Sequence, residues 1–204
     1  TEPPARAPSA AAPSPDENTI LIGEVGSLTG AQATFGISTR NGIDLAVEEV
    51  NAAGGIAGKK VVLRVYDDQG KPEEAANAVT RLIAQDKVKV ILGEVASTNS
   101  LAMAPKAQEA KIQMITPSST NPKVTEVGDY IFRVCFIAPF QGFVMAKFAR
   151  EAQKMETAAI LKDQKSDYSI GLSEVFTAEF EKMGGKIVAN EAYAQGDTDF
   201  RAQL

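Results

Sequence analysis

Short apolar runs alternate along the chain with longer segments in which apolar residues recur at helical spacing. Thr19–Gly26 is an apolar run rich in branched side chains that ends in glycine, which is typical of a buried strand. From Ile43 to Val50 apolar residues recur on one face, which predicts a helix over 36–52. Gly54 should end this helix, because glycine readily adopts the left-handed conformation that follows a helix C-terminus.

The same order of strand and helix continues to the end of the sequence. Pro72 should open the next helix, with Glu73 and Glu74 favourable beside the positive end of its dipole. The last residues, 197–204, are expected to begin another helix, capped by Asp197 or Thr198. Further strands are predicted at 60–66, 88–92, 112–115, 130–135, 158–162 and 186–193, and further helices at 72–86, 98–110, 140–153 and 168–183.

Strands that alternate with helices of this length predict parallel sheets with helices on both faces, which is an α/β fold. Residues 17–136 supply enough strands for one complete lobe. Residues 137–204 supply a sheet whose faces would stay partly uncovered, so we expect an incomplete second lobe and a chain that belongs to a longer protein. Residues 1–16 hold half of the ten prolines and are otherwise mostly Ala and Ser, which predicts a disordered tail.

Composition excludes several classes of function. The 204 residues include no histidine, so a Ser-His-Asp or Cys-His catalytic arrangement within the chain is impossible. A net charge of −5 argues against nucleic acid as a partner, because a clustered basic face would be expected. Apolar runs stay well short of the roughly 20 residues that span a bilayer. The single cysteine, Cys135, lies in an apolar run and is expected to be a buried thiol.

Motifs for nucleotide and metal binding fail on inspection. Residues 23–30 (GEVGSLTG) lack the GxGxxG spacing of a dinucleotide fold, and residues 55–60 (GIAGKK) lack the gap and the Ser/Thr of a phosphate loop. Asp67 and Asp68 could suggest a metal pair, but a lone acidic doublet after a strand is more typical of a solvated turn. We therefore expect no metal and no cofactor.

Small polar residues concentrate in the loops that follow predicted strands one, three and four. Ligands of open parallel sheets bind at this carboxyl edge, where loops meet helix N-termini. Ser97 stands at a helix start, where free N–H groups can hold a carboxylate, although taken alone it is more typical of a simple helix cap. Ser118 and Thr120 either belong to the same site or form a turn before Pro122.

Many segments between residues 19 and 204 together resemble one known family. They include IGEVGSLTG, NGIDLAVEEVNAAGGIAGKKVVLRVYDDQG, VILGEVASTNSLAMAP, ITPSSTNPKVT, YIFRV, DYSIGLSEVF and GDTDFRAQL. In this order they resemble the periplasmic branched-chain amino-acid-binding proteins, the leucine/isoleucine/valine-binding family of ABC transporters. The resemblance implies a type I periplasmic-binding-protein fold, in which two Rossmann-like lobes are joined by chain crossings that begin near residues 136–139.

The resemblance also implies a function. A member would be a monomeric, non-enzymatic protein, exported to the periplasm or the cell exterior, that captures an amino acid by hinge closure and delivers it to a membrane permease. Which amino acid it takes, and whether a lipid anchors it, stay open. The same fold serves as the ligand-binding module of sensory receptors and regulators for amino acids or amides. An enzyme acting on a nucleotide is disfavoured by the missing histidine and the failed glycine motifs.

Five ligand-binding residues follow from the resemblance, position by position. Ser97 would bond a ligand carboxylate, Ser118 would offer its backbone carbonyl to an ammonium group, and Thr120 would offer its hydroxyl and amide. Phe35 and Tyr168 take the places of aromatic residues that cover the ligand from the first and second lobes. Phe35 could equally pack on its own lobe, and Tyr168 could be a partly exposed neighbour of a helix cap. The family's acidic partner for the ammonium would lie beyond the last residue.

Overall fold

The first half of the molecule is built on one parallel sheet. A computed structural model describes residues 18–203, and the predicted tail at 1–16 lies outside them. The chain starts at β1, next to the edge of the sheet, moves to β2 at that edge and then to β3, β4 and β5 on the other side of β1, so the loops after β1 and β3 diverge at a crevice. The strands, all parallel, are β1 Thr19–Gly26, β2 Lys60–Asp67, β3 Val90–Leu92, β4 Gln113–Thr116 and β5 Ile131–Arg133.

Four helices connect these strands: α1 Ala33–Ala52, α2 Pro72–Ala84, α3 Ser97–Glu109 and α4 Lys123–Glu126. As predicted, Pro72 opens α2 with acidic residues in its first turn. Gly54 follows the end of α1 with a φ of 100°, the left-handed conformation that the sequence predicts. At Gly55 the chain turns back so tightly that a Cβ atom would lie 2.1 Å from the Lys59 carbonyl oxygen.

Most of the apolar core lies between the first sheet and helices α2 and α3. Successive strand residues face opposite sides of a sheet, so Leu21 and Ile91 point toward these helices while Ile22 and Leu92 point toward α1. Helix α1 is packed more loosely, because its one buried residue is Gly36. The buried core on the α2 and α3 side comprises Leu21, Val25, Ala75, Ala78, Val79, Leu82, Val88, Ile91, Met103, Ala104, Ala107, Met114, Val124 and Ile131.

The second part of the chain forms a smaller parallel sheet of β6 Thr157–Asp163 and β7 Lys186–Tyr193. Two helices accompany it, α5 Ala138–Lys147, which continues into a π-helical turn at Phe148–Ala152, and α6 Asp167–Lys182. They pack so closely that a Cβ atom at Gly142 would lie 2.6 Å from Val175 Cγ1. The fully buried Phe180 stacks on Phe176 with ring centroids 5.3 Å apart.

The structure corrects the expectations for the segment from residue 197 onward and for Cys135. The predicted helix over 197–204 is absent from its described part, where only a turn at 201–203 forms. Asp197 caps no helix there, because its Oδ2 accepts a hydrogen bond from the Ala194 amide at 2.7 Å. Cys135 is half-buried rather than buried, since β5 ends at Arg133 and the following residues leave the sheet. Its Sγ lies 3.6 Å from the Ser119 carbonyl oxygen.

Candidate ligand-binding site

Two of the predicted polar loops lie against each other at the carboxyl edge of the first sheet. The Glu94 carbonyl oxygen accepts hydrogen bonds from Thr116 Oγ1 at 2.6 Å and from Ser119 Oγ at 3.1 Å. The Val95 carbonyl oxygen accepts another from Ser118 Oγ, also at 3.1 Å. Because β3 and β4 are neighbouring parallel strands, their loops leave the sheet at the same edge, and these bonds join them into one surface.

Three of the predicted site residues lie in these joined loops or directly after them, since Ser97 is the first residue of α3, and we call Ser97, Ser118 and Thr120 the hydroxyl cluster. Ser97 is 2% exposed, and its Oγ accepts a hydrogen bond from the Asn121 amide at 3.3 Å. It does not cap α3, because Ala96 occupies the N-cap position without any side-chain cap bond. Thr120 is 6% exposed, and its Oγ1 has no hydrogen-bond partner within residues 18–203. Ser118 is exposed.

The first turn of α3 adds backbone N–H groups beside this cluster. The first amides of a helix lack intrahelical acceptors and form the positive end of the helix dipole. Ser100 is the first residue of α3 whose amide bonds back along the helix, to the Ala96 carbonyl oxygen. The first turn of α3 itself contains no acidic residue, but the carboxyl of the preceding Glu94 accepts a hydrogen bond from the amide of the N-cap residue Ala96 at 2.6 Å. A carboxylate bound here would meet neutral donors and a favourable helix dipole.

A pair of buried carboxyls supports the loops from below. Ser27 Oγ lies 2.8 Å from Asp68 Oδ1 and 3.0 Å from Glu94 Oε1, and Asn99 Nδ2 donates to Asp68 Oδ2 at 2.9 Å. Burial raises the pKa of Glu94, and the nearby charge of Asp68 raises it further. Burial also raises the pKa of Asp68, against the effect of hydrogen bonds from Gly70 and Ser27. The Ser27 hydroxyl has one proton, so two such close contacts favour a neutral form for one of the carboxyls.

The acidic doublet Asp67-Asp68 therefore differs from the solvated turn that the sequence favours. Asp68 is fully buried, and Asp67 accepts hydrogen bonds from the Leu28 amide at 2.9 Å and from Thr29 Oγ1 at 2.6 Å. Burial alone would raise the pKa of Asp67, but hydrogen bonds from Thr29 and from backbone amides lower it. Both carboxyls hold the loop after β1. Within residues 18–203 no group of three or more His, Cys, Asp or Glu residues is placed to hold a metal ion.

The two predicted aromatic residues lie at helix starts, outside the hydroxyl cluster. Phe35, in the first turn of α1, is 65% exposed, and no hydrogen bond or ring contact in the described part of the chain joins it to the cluster. Tyr168, near the start of α6, is 39% exposed, and its hydroxyl accepts a hydrogen bond from Gln141 Nε2 at 2.9 Å. It follows Asp167, whose amide donates to Thr98 Oγ1 at 2.9 Å, so the structure brings Tyr168 within one residue of α3.

A pocket of about 460 Å³ separates the carboxyl ends of the two sheets. It meets α3 at Thr98 and Asn99 but is not lined by the hydroxyl cluster itself. Its volume falls in the range of roughly 300–1,000 Å³ that small-molecule sites occupy. Another cavity of about 460 Å³ beside α1 is lined mostly by aliphatic side chains such as Ile43 and Val47, which suits a polar ligand less well. The second-sheet side of the first pocket consists of Asp163, Lys165, Ser166, Tyr193 and Gln195.

Sequence reasoning missed the residues that hold the two loops in place. Arg133 donates hydrogen bonds to the carbonyl oxygens of Ser119 at 2.6 Å and Asn121 at 2.9 Å. Arg133 could have been noticed in the sequence, because it is a charged residue inside the apolar run YIFRV. Glu94 gave no comparable signal, because an acid in a polar loop is more often solvated than fully buried.

Comparison with known proteins identifies the family. The model of a family described as periplasmic binding protein matches residues 19–204. The chain belongs to the periplasmic binding protein family. This periplasmic binding protein is 38% identical over 184 residues to the "Amino acid binding protein" of Pseudomonas aeruginosa, a match that covers 90% of this chain and 49% of that protein.

Solved structures of similar periplasmic binding proteins share the fold. The leucine binding protein LivK of Thermotoga maritima is 41% identical with a TM-score of 0.86, covering 90% of this chain and 51% of LivK. LivJ of Streptococcus pneumoniae, crystallised with isoleucine, is 35% identical with a TM-score of 0.84, covering 90% of this chain and 52% of LivJ. The chain thus spans about half the length of the relatives it matches. The predicted fold class and the predicted resemblance are confirmed.

Proposed function

We propose that this periplasmic binding protein captures a branched-chain or related amino acid for an ABC transporter. The observation that carries the proposal is the Thr120 hydroxyl, which is buried and unpaired within residues 18–203. Thr120 precedes Asn121, whose amide donates to Ser97 Oγ at the start of α3. A buried hydroxyl without a partner costs about 1–3 kcal/mol, so a ligand group that pairs with it recovers this energy. The isoleucine held by LivJ of Streptococcus pneumoniae supports the ligand class.

The hydroxyl cluster suits the head of an amino acid. Ser97 Oγ accepts its hydrogen bond from the Asn121 amide, which leaves the Ser97 proton free to donate to a ligand carboxylate. The free amides of the first turn of α3 and the Thr120 hydroxyl add further donors. The Ser118 carbonyl oxygen would accept from the ammonium group. Binding of this kind positions a ligand without reacting with it, in agreement with a non-enzymatic role.

Capture would proceed by closure of two lobes, residues 17–136 and 137–204. Phe35 would cover the ligand from the first lobe and Tyr168 from the second, so that ligand contacts favour the closed state. A membrane permease would then recognise the closed, monomeric protein. We place this action in the periplasm or outside the cell. None of the helices within residues 18–203 has the length and apolar character to cross a membrane.

Calorimetry of the intact protein against aliphatic, polar and aromatic amino acids tests this proposal. We expect binding of at least one amino acid, and an affinity about 10- to 100-fold lower in Thr120→Val, because hydrogen bonds to charged groups contribute about 1.5–3 kcal/mol. Thr80→Val is the matched control, since the Thr80 hydroxyl lies on the exposed face of α2 and donates to the Ala76 carbonyl oxygen.

Two results would count against the proposal, each in a different way. If no amino acid releases or absorbs heat on mixing, the proposed function is wrong. If an amino acid binds Thr120→Val and the unchanged protein equally well, the ligand lies elsewhere and the role of the hydroxyl cluster is wrong.

A further inference from the structure

One buried amide side chain touches both the hydroxyl cluster and the second lobe. Asn121 is 5% exposed, and its backbone amide donates to Ser97 Oγ at 3.3 Å. Its side-chain Nδ2 donates to the Asp167 carbonyl oxygen at 2.9 Å, and its Oδ1 accepts from the Lys123 amide at 3.0 Å. Asn121 therefore contacts a predicted ligand residue with its main chain and the start of α6 with its side chain.

Two residues of the first lobe bind the start of α6 through the main-chain groups of a single residue, Asp167. Besides the bond from Asn121 to its carbonyl oxygen, Asp167 donates its amide to Thr98 Oγ1 at 2.9 Å. One turn further along, a Cβ atom at Gly171 would lie 3.2 Å from Asn121 Nδ2, so the helix backbone comes close to this side chain. Thr98 follows Ser97 in the first turn of α3, and Asn121 follows Thr120 in the loop after β4.

Arg133 fixes the main chain around Asn121. Its Nη1 donates to the carbonyl oxygens of Ser119 and Asn121, and its Nη2 donates to the Pro122 carbonyl oxygen at 3.0 Å and to Thr125 Oγ1 at 2.6 Å. A planar guanidinium with several donors holds such a turn more rigidly than a single bond does. The loop after β4, which presents both Thr120 and Asn121, is therefore one braced segment.

We infer that Asn121 is a positioning residue that couples the ligand-binding cluster to the second lobe. This inference rests on the proposed function and names a residue through which ligand binding would affect the second lobe. A ligand that fixes the position of Ser97 also fixes the Asn121 amide that is hydrogen-bonded to it. The Asn121 side chain then restricts the position of Asp167, and with it that of the next residue, Tyr168. Energetic coupling of this kind travels through hydrogen-bonded side chains that contact each other. Asn121 itself touches no ligand in this scheme.

The test compares Asn121→Asp with Asn51→Ala in the intact protein. Aspartate keeps the shape and the acceptor toward the Lys123 amide but turns the donor toward Asp167 into a second acceptor. Asn51 is a matched control, because it also bridges two elements, donating to and accepting from Val61 at 2.9 and 2.8 Å, away from the cleft. The measurements are calorimetry with L-isoleucine and hydrogen–deuterium exchange at residues 167–170, each with and without L-isoleucine.

We expect Asn121→Asp to weaken isoleucine binding about 5- to 20-fold, in line with the loss of one to two hydrogen bonds. Exchange at residues 167–170 should rise even without ligand, and the protection that isoleucine gives there should disappear. Asn51→Ala should lower thermal stability while it changes affinity and exchange at these residues less than 2-fold. Unchanged exchange at 167–170 in Asn121→Asp would overturn the inference. Failure of the unchanged protein to bind isoleucine would count against the proposed ligand instead, while the ligand-free exchange still decides the coupling.

Discussion

Replacing Glu24 by glutamine should stabilise the fold above neutral pH and leave it nearly unchanged in acid. Glu24 lies in β1 and is 1% exposed. Its Oε2 lies 3.4 Å from Arg40 Nη1, an ion pair without a hydrogen bond, while Arg40 Nε bonds Asp44 at 2.7 Å. Burial raises the pKa of Glu24 from 4.5 to about 7, because the attraction of Arg40 offsets only part of the desolvation.

The sign follows from proton binding. A raised pKa means that the folded state holds the Glu24 proton more tightly than the unfolded state, so ionisation destabilises the fold. The stability contribution is complete below about pH 4.5 and is lost as the pH rises through about 7. At about 1.4 kcal/mol for each pH unit between the two pKa values, the loss amounts to about 3 kcal/mol. A glutamine at position 24 is neutral at every pH and avoids this loss of stability, while Arg40 keeps Asp44 as a partner.

Urea unfolding at pH 4, 6 and 8 measures the effect. At pH 8 Glu24→Gln should be more stable than the unchanged protein by about 3 kcal/mol, and at pH 4 the two should agree within about 1 kcal/mol. Glu48→Gln, which replaces an exposed carboxylate on α1, the helix that carries Arg40, should change stability by less than about 0.5 kcal/mol at each pH. Parallel curves for Glu24→Gln and the unchanged protein would refute the reasoning, because the carboxyl would then ionise without cost in the fold.

Two further predictions concern packing, and urea unfolding checks both. Gly36→Ala should destabilise the fold by about 2 kcal/mol or more, because its Cβ would lie 2.1 Å from the Ser27 carbonyl oxygen. A Cβ at Gly42 on the same helix would meet nothing within 4 Å, so Gly42→Ala should stabilise the fold by about 0.5–1 kcal/mol. Equal effects of the two substitutions would contradict the close approach at Gly36. Phe180→Ala should cost about 3–5 kcal/mol, against less than about 1 kcal/mol for the exposed Phe148→Ala, and a small loss at Phe180 would mean that this core is soft.

The sequence predicts the regular elements well where one strong local pattern decides them. Strands β1 and β7 have the predicted bounds, because each is a long apolar or alternating run that ends at a turn. The short strands β3 and β5 are shorter than predicted. Pairing with neighbours limits them, since β1 offers β3 only Gly23 and Glu24 as partners. The predicted final helix failed because a cap residue such as Asp197 serves a local turn equally well.

The candidate site is predictable only in part, for a physical reason. Ser97, Ser118 and Thr120 could be found because parallel strands deliver their loops to one edge. The burial of Asp68 and Glu94 could not, since it depends on how three loops close over each other. Composition in a loop does not separate a solvated acid from one that accepts hydrogen bonds inside the fold.

The two hydrogen bonds to the main chain of Asp167 have an evolutionary consequence. Thr98 and Asn121 hold the peptide N–H and C=O of this residue and leave its own carboxylate unused in the joint. Residue 167 can therefore drift to other amino acids without loosening the joint. The rotation of α6 about its axis must be conserved, because a shift by one residue would move both peptide groups of residue 167 out of hydrogen-bonding distance of Thr98 and Asn121.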